Sequence, residues 1–307
     1  MRHFLSIYDC TQKEIERIFA VTADLRERLR RGKKFAPLAG KSVALIFEKA
    51  STRTRLSFEV GCYQLGAQPL FISSSTTQMG RGEPIKDMAR VMSRYCHAVM
   101  IRTFAQSVLE EFARWGSIPV INGLTDLLHP CQVLADLQTV IDHFGAYKRK
   151  KVCWIGDGNN MANSWLNAAA RLPFDLSLAC PPDYQPDAAI LKRARKEARG
   201  KIELTKDPLK AAAGADVVTT DVWTSMGMEG QEDKRREAFA RYQVNAKLMS
   251  KAHPGAIFLH CLPAHRGEEV TDEVIESSAS KVWDEAENRL HVQKAIMTLL
   301  VNPKALG

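Results

Sequence analysis

A polar run rich in hydroxyls and guanidiniums, Glu48-Lys49-Ala50-Ser51-Thr52-Arg53-Thr54-Arg55, stands directly after an apolar stretch at 42–47 and opens a helical pattern. A helix N-terminus carries partial positive charge and unpaired N–H groups, so this mixture suits phosphate or another oxyanion. Ser51 and Thr52 could equally cap the helix while the arginines face water; Arg53 in the first turn favours the anion site. Arg102 closes another apolar stretch at 98–102, where a cation meets either a substrate anion or a structural ion-pair partner. In His129-Pro130-Cys131-Gln132 the proline suits a first helical position. An imidazole there is pushed towards neutrality and can donate one hydrogen bond to a carbonyl, with simple capping as the alternative. Gln132, one turn on, offers an amide donor and acceptor together.

Three more polar clusters each follow an apolar run. Gly156-Asp157-Gly158-Asn159-Asn160-Met161-Ala162-Asn163 begins like a dinucleotide-binding glycine loop, but Met161 takes the third glycine position. The next apolar run ends at Cys180-Pro181, without an acid for a ribose hydroxyl, so a nicotinamide dehydrogenase is a weak reading. The asparagines suit recognition of a zwitterion, or they merely shape a turn. In Asp221-Val222-Trp223-Thr224-Ser225-Met226-Gly227, Asp221 could bind an ammonium while Ser225 and backbone groups take a carboxylate; capping is the plainer role. His260-Cys261-Leu262-Pro263-Ala264-His265 invites a zinc reading. His260 and Cys261 would face opposite ways on a continuing strand and no fourth ligand is evident, so no metal and no cofactor is expected. A thiol at a strand end is usually inert core. The Leu262-Pro263 turn could leave the Leu262 carbonyl open as an acceptor.

These clusters need a frame that gathers strand ends, and the rest of the chain supplies one. Thr11 with Glu14 is a capping box that opens a helix to about residue 31. Strand patterns then fall at 42–47, 68–72, 98–102 and 119–122, with helical patterns at 53–65, 85–95, 106–115 and 130–144. A second set has strands at 152–156, 176–180, 202–205, 217–221, 256–261 and 282–284, followed by a helical pattern at 286–301. Strands apolar almost throughout and separated by helices predict parallel sheets covered on both faces. The expected fold class is α/β, with two doubly wound parallel-sheet domains at 1–145 and 146–288 and a final helix, 289–307, crossing back to the first. Ligands of such sheets collect outside the carboxyl ends of the strands, where every cluster above lies.

Composition excludes other classes. At 45% hydrophobic and 25% charged residues over 307 positions, the chain is not predominantly disordered. No apolar run approaches the ~20 residues of a membrane span. The opening segment lacks the apolar core of a secretory signal, and the seven cysteines are scattered without a CxxC pair. A reduced, cytoplasmic setting is expected. The formal charge of +8 comes from basic residues interleaved with acids, and the run 148–151 has no aromatic platform, so nucleic acid is not an expected partner.

Taken together, Ser51-Thr52-Arg53-Thr54-Arg55 with Ser57-Phe58-Glu59 and His129-Pro130-Cys131-Gln132 resembles the carbamoyltransferases. Asp221, Ser225-Met226-Gly227 and His260-Cys261-Leu262-Pro263 resemble the marks of their ornithine branch. The resemblance covers essentially the whole chain. It implies carbamoyl phosphate on the first domain, with the phosphate held by Ser51, Thr52, Arg53, Thr54 and Arg289. Gln78 would reach the phosphate of a neighbouring subunit in a homotrimer. Arg102 and His129, with Thr54, would polarise the carbamoyl oxygen, and Gln132 and the Leu262 carbonyl would hold the carbamoyl nitrogen. L-ornithine would lie on the second domain, bound by Asn160, Asp221, Ser225 and Met226, with Cys261 touching its side-chain amine and contributing to the carbamoyl site. A sister enzyme acting on putrescine or an N-acylated ornithine is the nearest alternative.

Overall fold

The computed structural model describes residues 1–73, 82–224 and 230–306. They form two compact units, Met1–Ala135 with Glu287–Gly307, and Asp136–Ala286.

The first unit begins with α1 (Gln12–Arg30), whose capping box is formed as the sequence predicts: Thr11 Oγ1 accepts from Glu14 N at 3.3 Å and Glu14 accepts from Thr11 N at 2.8 Å. Then come β1 (Ser42–Phe47), α2 (Thr52–Leu65), β2 (Gln68–Ser73), α3 (Ile85–Tyr95), β3 (Ala98–Arg102), α4 (Gln106–Trp115), β4 (Val120–Leu124) and α5 (Pro130–Phe144), which from Asp136 onward belongs to the second unit. The strands form a parallel sheet in the order β2-β1-β3-β4. Val43, Ala44, Leu45, Ile46 and the first four residues of β3 are wholly buried, as a strand covered on both faces requires. The chain steps from β1 outward to β2, then to the other side of β1 for β3. The ends of β1 and β3 therefore flank the point where strand order reverses, the place where open α/β sheets bind ligands. Phe47 and Arg102 stand opposite each other there.

The second unit continues with β5 (Lys151–Ile155), α6 (Asn160–Arg171), β6 (Asp175–Ala179), α7 (Ala188–Glu197), β7 (Ile202–Thr205), α8 (Pro208–Ala212), β8 (Val217–Thr220), α9 (Glu232–Phe239), α10 (Ala246–Met249), β9 (Ile257–His260) and α11 (Asp272–Ile275). Its parallel sheet runs β7-β6-β5-β8-β9, so the order reverses between β5 and β8, and Ile155 faces Thr220 beside that crevice. A core of Cys153, Ile155, Val218, Phe239, Phe258 and neighbouring apolar side chains packs one side.

Both sheets are parallel α/β layers, as the apolar strand patterns predict. One predicted strand is corrected: residues 282–284 belong to the last helix, α12 (Val282–Val301). The extended pairing beside β9 occurs just before it, with Phe258 N donating to Ala279 O and Lys281 N donating to Phe258 O, both at 2.9 Å. Three residues are too few for periodicity to separate strand from helix, and Trp283 is in fact exposed. From Glu287 onward α12 belongs to the first unit.

Candidate active site

At the mouth of α2, Ser51 is the N-cap and its Oγ accepts from Thr54 N at 3.2 Å, which leaves other first-turn N–H groups to face outward. Two guanidiniums converge on the wholly buried Thr54: Arg289 Nη2 donates to Thr54 Oγ1 at 2.8 Å, and Arg102 Nη1 lies 3.5 Å from the same oxygen. Arg102, His129, Gln132 and Arg289 are all buried. Burial holds the His129 imidazole well below its ordinary pKa, and the positive charges of Arg289, Arg102 and Arg53 push it further down. His129 is therefore neutral at pH 7 and senses three cations at once. Thr52 is exposed at the first helical position and Arg53 half-buried. Arg55 turns elsewhere, its guanidinium 3.7 Å over the Phe71 ring and its Nε 2.9 Å from Glu59.

The loops after β1, β3 and β4 are tied together by residues whose bracing roles the sequence pattern does not reveal. Lys49 pairs with Asp126 and lies 4.3 Å over the Phe104 ring, while Thr103 donates to Glu48. Ahead of His129, Leu128 N donates to Thr125 Oγ1 at 3.0 Å, and Thr125 Oγ1 donates to Gln106 Oε1 at 2.9 Å. Their only signal in sequence is position just past a strand. The result is a fixed cationic notch, able to hold an oxyanion and to place hydrogen-bond donors against a carbonyl.

In the second unit, Asn159 rather than Asn160 organises the turn after β5. It caps α6, accepting from Met161 N at 2.9 Å, and its Nδ2 donates to Asp221 Oδ2 at 2.9 Å. Asn160, the first residue of α6, accepts from Ser164 Oγ through its carbonyl. Gly158 is required by space: a Cβ there would sit 2.1 Å from Pro186 N and 2.2 Å from the Gln185 carbonyl carbon. Asp221 Oδ1 accepts from Val222 N at 2.8 Å and from Cys261 Sγ at 3.0 Å. Withdrawal from water, then the Asp221 carboxylate, pushes the Cys261 thiol well above its ordinary pKa, so it stays protonated. Arg235 joins Asp157 to the carbonyl of Trp223 and so braces both polar turns.

The expectation that a strand runs through Cys261, which would turn His260 and Cys261 to opposite faces, is corrected. β9 ends at His260, and donor atoms of Asp221, His260 and Cys261 lie within 4.8 Å of one another. The imidazole is nevertheless committed: Nδ1 accepts from Leu262 N at 2.9 Å, so the ring proton is on Nε2, 3.0 Å from the buried Glu269 carboxylate. Glu269 also accepts from His265 N at 2.6 Å, closing the turn that carries Cys261 and Leu262. Leu262 itself has φ +58°, in the left-handed region. Gln78, Ser225 and Met226 lie outside the described residues.

Comparison with known proteins decides the lineage. Residues 2–142 match "Aspartate/ornithine carbamoyltransferase, carbamoyl-P binding domain", and residues 148–300 match "Aspartate/ornithine carbamoyltransferase, Asp/Orn binding domain". The chain belongs to the aspartate/ornithine carbamoyltransferase family. An ornithine carbamoyltransferase of Geobacter metallireducens is 59% identical over 300 residues, spanning 98% of this chain and 99% of the relative. The solved ornithine carbamoyltransferase of Pyrococcus furiosus is 46% identical, with a TM-score of 0.95 over 98% of this chain and 97% of its own. The anabolic ornithine carbamoyltransferase of Campylobacter jejuni is 41% identical, with a TM-score of 0.91 over 99% and 100%. The chain thus carries a cationic notch on the first unit and an amide–carboxylate–thiol cluster on the second.

Proposed function

We propose that this protein transfers the carbamoyl group of carbamoyl phosphate to the side-chain amine of L-ornithine, giving L-citrulline and phosphate. The observation that carries the reading is the convergence of Arg102 and Arg289 on Thr54 at the mouth of α2, beside a His129 kept neutral. The phosphate is assigned to Ser51, Thr52, Arg53, Thr54 and Arg289, with Gln78 of a neighbouring subunit. Arg102, His129 and Thr54 are assigned to the carbamoyl oxygen, and Gln132 to the carbamoyl nitrogen. Neutral His129 suits this task, because it donates a hydrogen bond without competing for the proton of the incoming amine. The Leu262 carbonyl is assigned with Gln132 to the carbamoyl nitrogen, and Cys261 to the side-chain amine of ornithine and the carbamoyl site.

Together with Asn160, Ser225 and Met226, which share the α-amino and carboxylate groups of ornithine, Asp221 is assigned to the α-ammonium. Its carboxylate already accepts from three donors, Asn159, Cys261 and its own loop, which fixes its direction. The δ-amine must be neutral to attack, and an alkylammonium of pKa ~10.4 is almost wholly charged at pH 7. Nearby guanidinium charge lowers that value. Nitrogen attacks the carbamoyl carbon and the C–N bond forms, the bond between that carbon and the bridging oxygen breaks so that phosphate leaves with the oxygen, and the departing phosphate takes the amine proton. Guanidinium and imidazole donors preorganised on the developing oxyanion contribute about 3 kcal/mol each.

The assembly is proposed to be a homotrimer. Leu56, Val60 and Tyr63 form an exposed apolar stripe on α2, beside exposed Leu70 and Phe71 on the edge strand β2. Sedimentation at three chain masses is expected, and a monomer would contradict it. The reaction is placed in arginine biosynthesis in the cytoplasm. The cysteines are free thiols, and among the described residues no helix is long and apolar enough to cross a membrane. A citrulline assay with carbamoyl phosphate and an amine panel tests the assignment. Turnover with L-ornithine far above that with putrescine or N-acylated ornithine is expected; preference for either of the others would overturn it.

A further inference from the structure

A cavity of about 440 Å³ opens in the first unit among α1, the C-terminal turn of α2 and the middle of α12. Leu25, Leu29 and Phe35 give it an apolar wall. Arg28, Lys33, Lys34 and Lys294 reach it as well, and no acidic side chain is among its lining residues. Arg28 is already engaged, 2.7 Å from Asp24 and 4.4 Å over the Phe35 ring. Lys294 differs. It is 2% exposed, its Nζ donates to Gln64 Oε1 at 2.7 Å, and withdrawal from water pushes its pKa down to about 8. Its stem is held in place: a Cβ added at Gly61 of α2 would meet Met297 Cε at 3.1 Å and Lys294 Cγ at 3.3 Å.

An ammonium partly removed from water beside an apolar wall is best satisfied by an anion that also brings apolar surface. The charge-assisted bond is strong where water is scarce, and the body of such a ligand covers the wall. The volume lies within the ~300–1,000 Å³ of small-molecule clefts. We propose that this cavity binds a small organic carboxylate with an apolar body, its carboxylate on Lys294 and its body against Leu25, Leu29 and Phe35. The position is distinct from the cationic notch at the mouth of α2, although α2 and α12 contribute to both.

Isothermal titration of the full chain, without carbamoyl phosphate, tests this with 4-phenylbutyrate, 4-phenylbutylamine and butyrate. Saturable binding of one 4-phenylbutyrate per chain is expected, with the amine and butyrate at least tenfold weaker. Lys294→Met and the cavity-filling Leu29→Trp, each with a wild-type melting transition, should both lower 4-phenylbutyrate affinity at least tenfold. If one variant melts early, the other decides. Absent binding to the wild-type chain, equal affinity for the amine, or undiminished affinity in the folded variants would overturn the proposal.

Discussion

At the scale of single residues, the proposed reaction places its heaviest demands on Thr54, Arg102 and Asp221. Arg102→Ala removes a buried guanidinium from the proposed oxyanion contact. It should lower kcat/KM for citrulline formation by at least ~10³ while leaving the melting transition in place. Turnover near wild type would remove Arg102 from the reaction. Asp221→Asn keeps the shape but loses the charge that faces Asn159 and Cys261. Steady-state kinetics should then show the KM for ornithine rising at least tenfold with the KM for carbamoyl phosphate nearly unchanged; a change confined to carbamoyl phosphate would contradict the assignment. Arg102 and Asp221 stood out in sequence as charges that close apolar runs, and Thr54 as a hydroxyl in the polar run that opens a helix. The pairing of Lys49 with Asp126 was not legible, because 77 residues separate them and only folding brings their loops together.

At the scale of elements, the helix mouth depends on α2 and α12 meeting over one hydroxyl. Thr54→Val is nearly isosteric and removes the acceptor shared by Arg289 and Arg102. The expected result is a KM for carbamoyl phosphate raised tenfold or more, with ornithine KM and fold little altered. If the two constants rise together, Thr54 acts through the fold and not through the donor site. The parallel strands could be read because burial on both faces makes them apolar throughout. The start of α12 could not, since Val282-Trp283-Asp284 is as compatible with a short strand as with a helix, and the neighbouring extended pairing at 279–281 misleads in the same direction. The turn at His260-Cys261 misled for a related reason. Alternation of faces holds only while a strand continues, and β9 stops at His260.

At the scale of the whole molecule, the two sheets reverse strand order beside the clusters picked out from residue types, so topology and chemistry point to the same strand ends. Stability should also carry a signature of the free thiols. Burial pushes Cys62, Cys131 and Cys153 up to about 12. In the unfolded chain such thiols ionise near the ordinary value, so above that pH the unfolded state sheds protons that the folded state keeps. Their contribution is full below about pH 8.5 and is lost progressively as pH rises towards 12. The melting temperature should fall across that alkaline range, and Cys153→Ala should make the fall shallower. An unchanged slope would mean that the thiol is not protected in the folded chain.

The central claim is that the N-terminus of α2, with Arg102 and Arg289, grips the acyl donor. A crystal structure with carbamoyl phosphate bound tests it most directly. The account predicts phosphate oxygens on Ser51, Thr52 and the first-turn N–H groups, and the carbamoyl oxygen within hydrogen-bond reach of Arg102 and His129. Carbamoyl phosphate bound elsewhere, with the helix mouth empty, would contradict it.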